Sequence, residues 1–321
     1  MDELLLALDY GGTKHAAAVL RRGDTTWAAQ ARVTCPPGAD ATYDQTAVLR
    51  MARELLTQAR GRLVAIGVSF GGPVDAKRGL VRLSHHVPGW EDTPLADKLA
   101  AELGAPVSVD NDANVAALGE WRFGAGQGCD SLLYVTVSTG VGGGWVLGGR
   151  IWSGADGMAG EIGHTAVRQG GMPCVCGKRG CVEAEACGPA IARKAVALLA
   201  ADAQGGRILR GLAGGQPEAV TAELVGRAAA QGDALALHAL QDAAAALGDG
   251  IGTAINLMNP ERVVLGGGVI KAGAAWWSTV RAAARATVLP QTRVDIRPAG
   301  MSDDAPLWGA AALAEAIAAR A

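Results

Sequence analysis

The sequence predicts an α/β protein, and three observations carry that expectation. Short apolar runs that read as strands alternate with segments of helical periodicity. Glycine is abundant, 46 of the 321 residues, and it gathers at the ends of those runs, as "YGGT", "FGGP", "GVGGG" and "LGGGV". Tight turns, or backbone that must approach a ligand closely, need glycine there. Finally, the strand–turn–strand pattern of the opening residues recurs from residue 131, a weak internal repeat that points to two related halves.

In chain order, "LLLAL" (4–8) reads as a strand, "DYGGT" as a tight turn and "KHAAAVL" as a returning strand. Over residues 44–60, Val48, Met51, Leu55 and Leu56 share one helical face. "RLVAIGVSF" (62–70) is a strand ending at Gly71-Gly72-Pro73. "TPLADKLAAELG" (93–104) is a helix with Thr93 as N-cap and Gly104 at its stop. A short strand, "PVSVDND" (106–112), runs into the helix "ANVAALGEWRFG". "SLLYVTV", "STGVGGG" and "WVLGG" repeat the opening strand, turn and strand. An Ala-rich helix covers 189–201, a mobile connection 204–217, and helix most of 218–259. "RVVLGGGV" (262–269) is a buried strand meeting a triple-Gly turn that opens a helix, and residues 305–320 form a closing helix.

Half the residues are apolar, 19% are charged and the formal net charge is −2 without a basic run. That composition is globular and soluble, and it argues against nucleic acid as a partner. No apolar stretch reaches the roughly 18–20 residues of a membrane span. The acidic, short apolar start is unlike a secretory signal, so a cytoplasmic protein is expected. In that compartment clustered cysteines favour metal binding or catalysis over disulfides.

Asp9-Tyr10-Gly11-Gly12-Thr13-Lys14 can turn backbone N–H groups toward phosphate, with Thr13 and Lys14 adding donors and Asp9 reaching Mg²⁺ directly or through water. An ordinary hairpin turn has the same composition. Ser138-Thr139-Gly140 and Gly266-Gly267-Gly268 offer the same chemistry again, and three such turns are harder to read as mere hairpins. His164-x9-Cys174-x-Cys176-x4-Cys181 supplies one imidazole and three thiolates, a full tetrahedral shell for Zn²⁺. With no open position, that zinc is structural. Cys35, Cys129 and Cys187 are scattered and read as core or loop thiols. Glu161 and Glu183 flank the cluster and suit sugar hydroxyls, or else a solvated face. In "DNDAN" (110–114), Asp110 or Asn111 can cap the following helix while Asp112 takes a proton from an attacking hydroxyl.

Together these stretches resemble the ROK family of bacterial sugar kinases, N-acetylhexosamine kinases and sugar-responsive repressors. The resemblance rests on "LDYGGTK", "VDNDANVAALGE", "VSTGVGGGWVLGGRIWSG", "GEIGHTAV" followed by "CVCGKRGCVE", and "NPERVVLGGGV", and it runs over nearly the whole chain. It implies a two-lobed actin-like, ribonuclease-H-like ATPase fold with a cleft between lobes. The small lobe would be residues 1–112 joined by a closing helix at about 303–321, and the large lobe 113–302.

The resemblance further implies in-line phosphoryl transfer from MgATP to O6 of a hexose, with Asp112 as general base. Gly72, His86, Asn111, Glu161, His164 and Glu183 would contact the sugar. Gly11, Gly12, Thr13, Lys14, Thr139 and Gly140 would hold the ATP phosphates, Asp9 would stand near Mg²⁺, and Gly267 and Gly268 near the adenosine. It also implies a homo-oligomer, dimer or tetramer. One departure is "SHHVPGW" (84–90), where glucokinase-like members often carry "PNLPGW", so His86 stands in place of Asn. Ser138 replaces a common Gly. The layout favours glucose, with an N-acetylhexosamine as the alternative. A repressor is disfavoured, because the phosphate turn starts at Asp9 with no helix-turn-helix segment ahead of it.

Overall fold

The computed structural model describes residues 2–84 and 87–319. His86 lies outside the described residues. The chain forms two compact units: residues 1–134, 144–159 and 299–321, and residues 135–143 with 160–298.

In the first unit, β1 (Glu3–Tyr10), β2 (Lys14–Arg21) and β3 (Trp27–Thr34) form an antiparallel meander. After α1 (Ala41–Ala59), β4 (Arg62–Phe70) returns parallel to β1. The small hairpin β5 (Val74–Asp75) and β6 (Leu80–Val81) and helix α2 (Leu95–Leu103) precede β7 (Val107–Asn111), which pairs parallel to β4. The sheet order is β3-β2-β1-β4-β7.

Both faces of this sheet are covered, which is why β1 is an unbroken apolar run. Leu4, Leu6, Leu8 and Tyr10 face α1 with Val48, Met51 and Leu55, while Leu5 and Ala7 are buried on the other side. Tyr10, Phe70 and Trp90 close the α1 side, with Trp90 edge-on to both other rings. Helices α3 (Asp112–Phe123) and, at the chain end, α10 (Ala305–Ala318) complete the unit. Trp308 of α10 stacks on Trp27 at 3.9 Å, and Glu315 pairs with Arg122 at 3.0 Å.

Strands β8 (Ser131–Val137), β9 (Val141–Leu147), β10 (Arg150–Ile151), β11 (Arg262–Gly266) and β12 (Ile296–Pro298) form the second sheet, in the order β10-β9-β8-β11-β12. Counted within its own sheet, each set of five strands is ordered 3-2-1-4-5, so the weak repeat in the sequence is a repeat of topology. Helices α4 (Val182–Ala186), α5 (Gly188–Ala201), α6 (Arg207–Leu212), α7 (Ala222–Ala230), α8 (Ala234–Met258) and α9 (Ala274–Thr287) fill out the second unit. Among the described residues no helix is long and apolar enough to cross a membrane.

Four local expectations need correction. Helix α1 starts at Ala41, ahead of residue 44, because Asp40 caps it by accepting from the Tyr43 N–H. Thr93 does not cap α2: its backbone is used instead in a bridge to Val81, and the helix begins two residues later. Residues 204–217 are not one loose connection. They contain α6, whose first turn is held by Asp233, which accepts from the Ile208 and Leu209 N–H groups. The run 262–269 ends as a strand at Gly266, and a 3₁₀ turn (Gly268–Ala272) rather than an α-helix follows the glycines.

Glu120 ties the end of α3 to the segment leading into α10. Its fully buried carboxylate accepts from the N–H groups of Ala125, Gly300 and Met301 at 2.7–2.9 Å. Removing it takes a charged acceptor from three part-buried N–H donors and unties α3 from the segment before α10. Glu120→Ala is therefore expected to cost on the order of 3 kcal/mol of stability, read by denaturant unfolding.

Candidate functional site

In the first unit the site is built by strand register. Asp9 pairs with Ser69 across β1 and β4, and Ser69 pairs with Asp110 across β4 and β7. Three parallel neighbours thus end level, and the polar residues at their C-terminal ends stand in one row. Open α/β sheets present their ligand-binding residues at this edge.

The Ser69 hydroxyl donates to Asp9 Oδ1 at 2.8 Å. Although Asp9 keeps part of its surface exposed, its carboxylate is enclosed, and burial pushes it up to about 6. The Ser69 hydrogen bond acts against that shift, and the negative charge of Asp112 adds to it. Asp9 therefore senses the charge of Asp112.

Asn111 is the N-cap of α3: its side-chain oxygen accepts from the Ala113 N–H at 3.0 Å. Its amide donates to the Gly72 carbonyl at 3.0 Å, so Asn111 and Gly72 are brought together. One amide N–H and one oxygen lone pair are left for a ligand. Asp110 is buried and accepts from the Asn114 amide and the Asn111 N–H, while burial raises its pKa. With the cap assigned to Asn111 and Asp110 enclosed, Asp112 is the acid at the helix start that is only half-buried.

In the second unit the turn after β8 meets the start of α4. Glu183 accepts from the Val141 N–H at 3.0 Å, and a side chain at position 140 would come within 2.6 Å of the same carboxylate oxygen, so a larger residue there would displace that carboxylate. Gly267, at φ +84°, lies against the Val137 backbone, so the turn at 138–140 and the triple-Gly turn adjoin. A cavity of about 360 Å³ opens beside them, lined by Thr139, Pro173, Cys174, Glu183, Cys187 and Arg193.

The knuckle is a short irregular hairpin. Pro173 bridges to Arg179 and Ala166 to Cys181, and the Cys174 N–H donates to the Lys178 carbonyl at 2.8 Å. His164, Cys174, Cys176 and Cys181 converge, with donor atoms all within 4.8 Å of one another. The Cys174 Sγ to His164 Nδ1 distance is 3.6 Å and the Cys176 Sγ to Cys181 Sγ distance 3.7 Å. A tetrahedral zinc with its usual bond lengths has edges of about 3.6 Å (S–N) and about 3.8 Å (S–S). The residues fit that ion. Burial and the neighbouring thiols push the Cys181 thiol up to about 12, a preference that a divalent cation at the centre reverses.

With Nδ1 turned to the thiols, His164 points Nε2 toward Glu161, 3.9 Å away. Thus Glu161 and His164 come together, whereas Glu183 is placed on the turn at 140–141. A clamp absent from the sequence reading anchors the knuckle. Buried Glu185 accepts from the Met172 N–H at 2.7 Å, Arg168 pairs with Asp242, and Lys194 joins Asp242. Ser69 was likewise missed, because only strand register reveals that it faces Asp9. A larger hollow of about 930 Å³ near Arg207 and His238 lies away from these groups. Its buried acid, Asp233, is taken up capping α6 and α8.

Two five-stranded sheets of matching order and glycine-bounded strand ends define an α/β protein of the actin-like ATPase class. The chain belongs to the ROK family, whose model matches residues 5–317. A glucokinase of Halalkalibacterium halodurans is 40% identical over 263 residues, covering 78% of this chain and 76% of that protein. An N-acetylmannosamine kinase of Yersinia pseudotuberculosis is 34% identical over 97% of this chain and 98% of its own. The crystal structure of a ROK family glucokinase from Streptomyces griseus in complex with glucose and AMPPNP is 33% identical, with a TM-score of 0.79. It covers 98% of this chain and 99% of that one. These relatives point to a phosphotransferase acting on sugars.

Two outcomes follow. Replacing Cys174 and Cys176 together by Ser should lower zinc content by one ion per chain and lower the melting temperature, read by metal analysis and calorimetry. For Asp9, the folded pKa of about 6 lies above the ordinary value of 3.8. The folded state then holds the extra proton between those values, so a stability penalty builds as pH rises through that window and is complete above it. Asp9→Asn should be more stable than wild type at pH 7–8 and should lose that advantage near pH 4, measured as the difference between two unfolding series.

Proposed function

We propose that the protein is an ATP-dependent hexose kinase that phosphorylates the 6-hydroxyl of glucose, with Asp112 as general base. The observation that carries this reading is the row of acids at the ends of β1 and β7. Asp112 opens α3 where its carboxylate feels Asp9, and the cap and the buried position beside it are already filled by Asn111 and Asp110.

In the proposed step Asp112 accepts the proton of the sugar O6–H. The oxygen attacks the γ-phosphorus of MgATP in line, the bond to the β,γ-bridging oxygen breaks, and ADP leaves. Gly11, Gly12, Thr13, Lys14, Thr139 and Gly140 contact the phosphates, Asp9 holds Mg²⁺ directly or through water, and Gly267 and Gly268 border the adenosine. Catalysis is then mostly positioning and charge neutralisation. Asn111, Gly72, Glu161, His164 and Glu183 contact the sugar, and His86 belongs to this set. Because the knuckle holds His164 by Nδ1, zinc would orient the Nε2 edge that meets the sugar. The reading includes a cytoplasmic dimer or tetramer, and lobes of 1–112 with the closing helix and 113–302.

A second reading, an N-acetylhexosamine kinase, is favoured by the likeness to the Yersinia enzyme over nearly the whole chain. A coupled ADP-release assay over glucose, mannose, N-acetylglucosamine and N-acetylmannosamine separates the two. Glucose should give the highest kcat/KM. A preference for an N-acetylated sugar would install the second reading, and no turnover with any hexose would remove the kinase. Asp112→Asn should lower kcat by about 10²–10⁴-fold with little change in sugar affinity, measured by turnover and calorimetry.

A further inference from the structure

A second cluster of metal-ligating atoms lies apart from the knuckle. His15 is the second residue of β2, Cys35 follows β3 directly, and Asp44 sits in the first turn of α1. Three separate elements bring His15 Nε2, Cys35 Sγ and one Asp44 oxygen within 4.8 Å of one another. His15 Nε2 is 2.7 Å from Asp44 Oδ1 and 3.2 Å from Cys35 Sγ. We propose that these three residues form a second binding site for a thiolate-seeking divalent cation of the zinc type.

Three features support this. First, both short contacts share Nε2, so this is not a relay in which a histidine passes a proton from one nitrogen to the other. It is a convergence of three donors on one point. Second, the charges balance: a thiolate, a carboxylate and a neutral imidazole bring a dication to zero, which suits a place where His15 and Asp44 are buried. Third, Trp90 Nε1 donates to Asp44 Oδ2 at 3.1 Å, fixing the carboxylate with Oδ1 turned to the cluster. Outer hydrogen bonds orient metal ligands in this way. Metal binding moves the ring proton from Nε2 to Nδ1, which is buried without a hydrogen-bond partner, so the Nε2–H bond to Asp44 is lost and is replaced by the two bonds to the ion.

Accommodation needs little movement. A zinc ion requires N–O and N–S separations of about 3.3 and 3.6 Å, so the donors must open by about 0.6 and 0.4 Å from their present distances. Cys35 is only half-buried and gives the ion its way in. On binding, the Cys35 S–H bond breaks and a metal–sulfur bond forms, releasing one proton. The fourth position would be filled by water. The site borders the turn proposed to hold phosphate: Lys14 precedes His15, and the Cys35 N–H donates to the Thr13 carbonyl at 2.9 Å. A bound ion would pin that turn between two liganded residues.

Zinc titration of protein whose knuckle is already loaded, against a chromophoric chelator, tests the site. Wild type should take up one further zinc per chain, and Cys35→Ser, whose folding is checked by its melting curve, should bind that ion at least about tenfold more weakly. His15→Gln should do the same. The Cys174→Ser/Cys176→Ser variant should retain Cys35-dependent uptake, which separates this site from the knuckle. If that variant does not fold, the single Cys35→Ser protein decides. Uptake of no further zinc by wild type, or undiminished uptake by Cys35→Ser, would overturn the proposal and leave His15–Asp44 as a buried hydrogen-bonded pair.

Discussion

The parallel register of β1, β4 and β7 is the constraint on which the first half of the candidate site depends. It sets Asp9, Ser69 and Asp110 in one row and delivers Asp112 two residues beyond it, at the start of α3. A slip of one residue in any of the three strands would exchange the residues facing α1 with those on the opposite face and would take Asp9, Ser69 and Asp110 out of line. The apolar faces therefore do double duty. Leu4, Leu6 and Leu8 against α1 hold the register that the chemistry at the strand ends requires.

That arrangement works against stability where function would need it. An enclosed Asp9 beside a second acid is an unfavourable place for a negative charge. Ser69 relieves part of the burden through its hydrogen bond. Positions of this kind, where burial makes an acid's charge costly, are where active sites and fold stability pull apart.

The second unit solves its positioning problem differently. The knuckle has little regular structure and few apolar contacts, and Val175 at its tip is almost fully exposed. Inside it four residues that fit a zinc ion converge, and from outside it is held by Glu185, Arg168, Asp242 and Lys194. Strand ends can be aimed by a sheet, but a hairpin of Gly, Pro and Cys needs cross-links. The His164 ring faces both ways: Nδ1 is turned to the thiols, and Nε2 faces Glu161.

The sequence by itself determined the α/β class, the alternation of elements, the three glycine turns and the four knuckle ligands. Each of these is written in local pattern: apolar periodicity, glycine at strand ends, and Cys and His at short spacing. Asn111 and Asp112 were legible for the same reason, since a cap and the residue after it are neighbours in the chain. Helix starts were less so. Asp40, not a residue at 44, opens α1, and Thr93 was drawn into a bridge with Val81 that no local signal announces. Only the tertiary structure decided that Ser69 serves Asp9, that Glu183 docks on Val141, that Asp242 anchors the knuckle, and that His15, Cys35 and Asp44 meet. Those partners are separated by between 9 and 74 positions in the chain, and nothing in composition or spacing encodes a contact made by the folding of distant strands and helices onto one another.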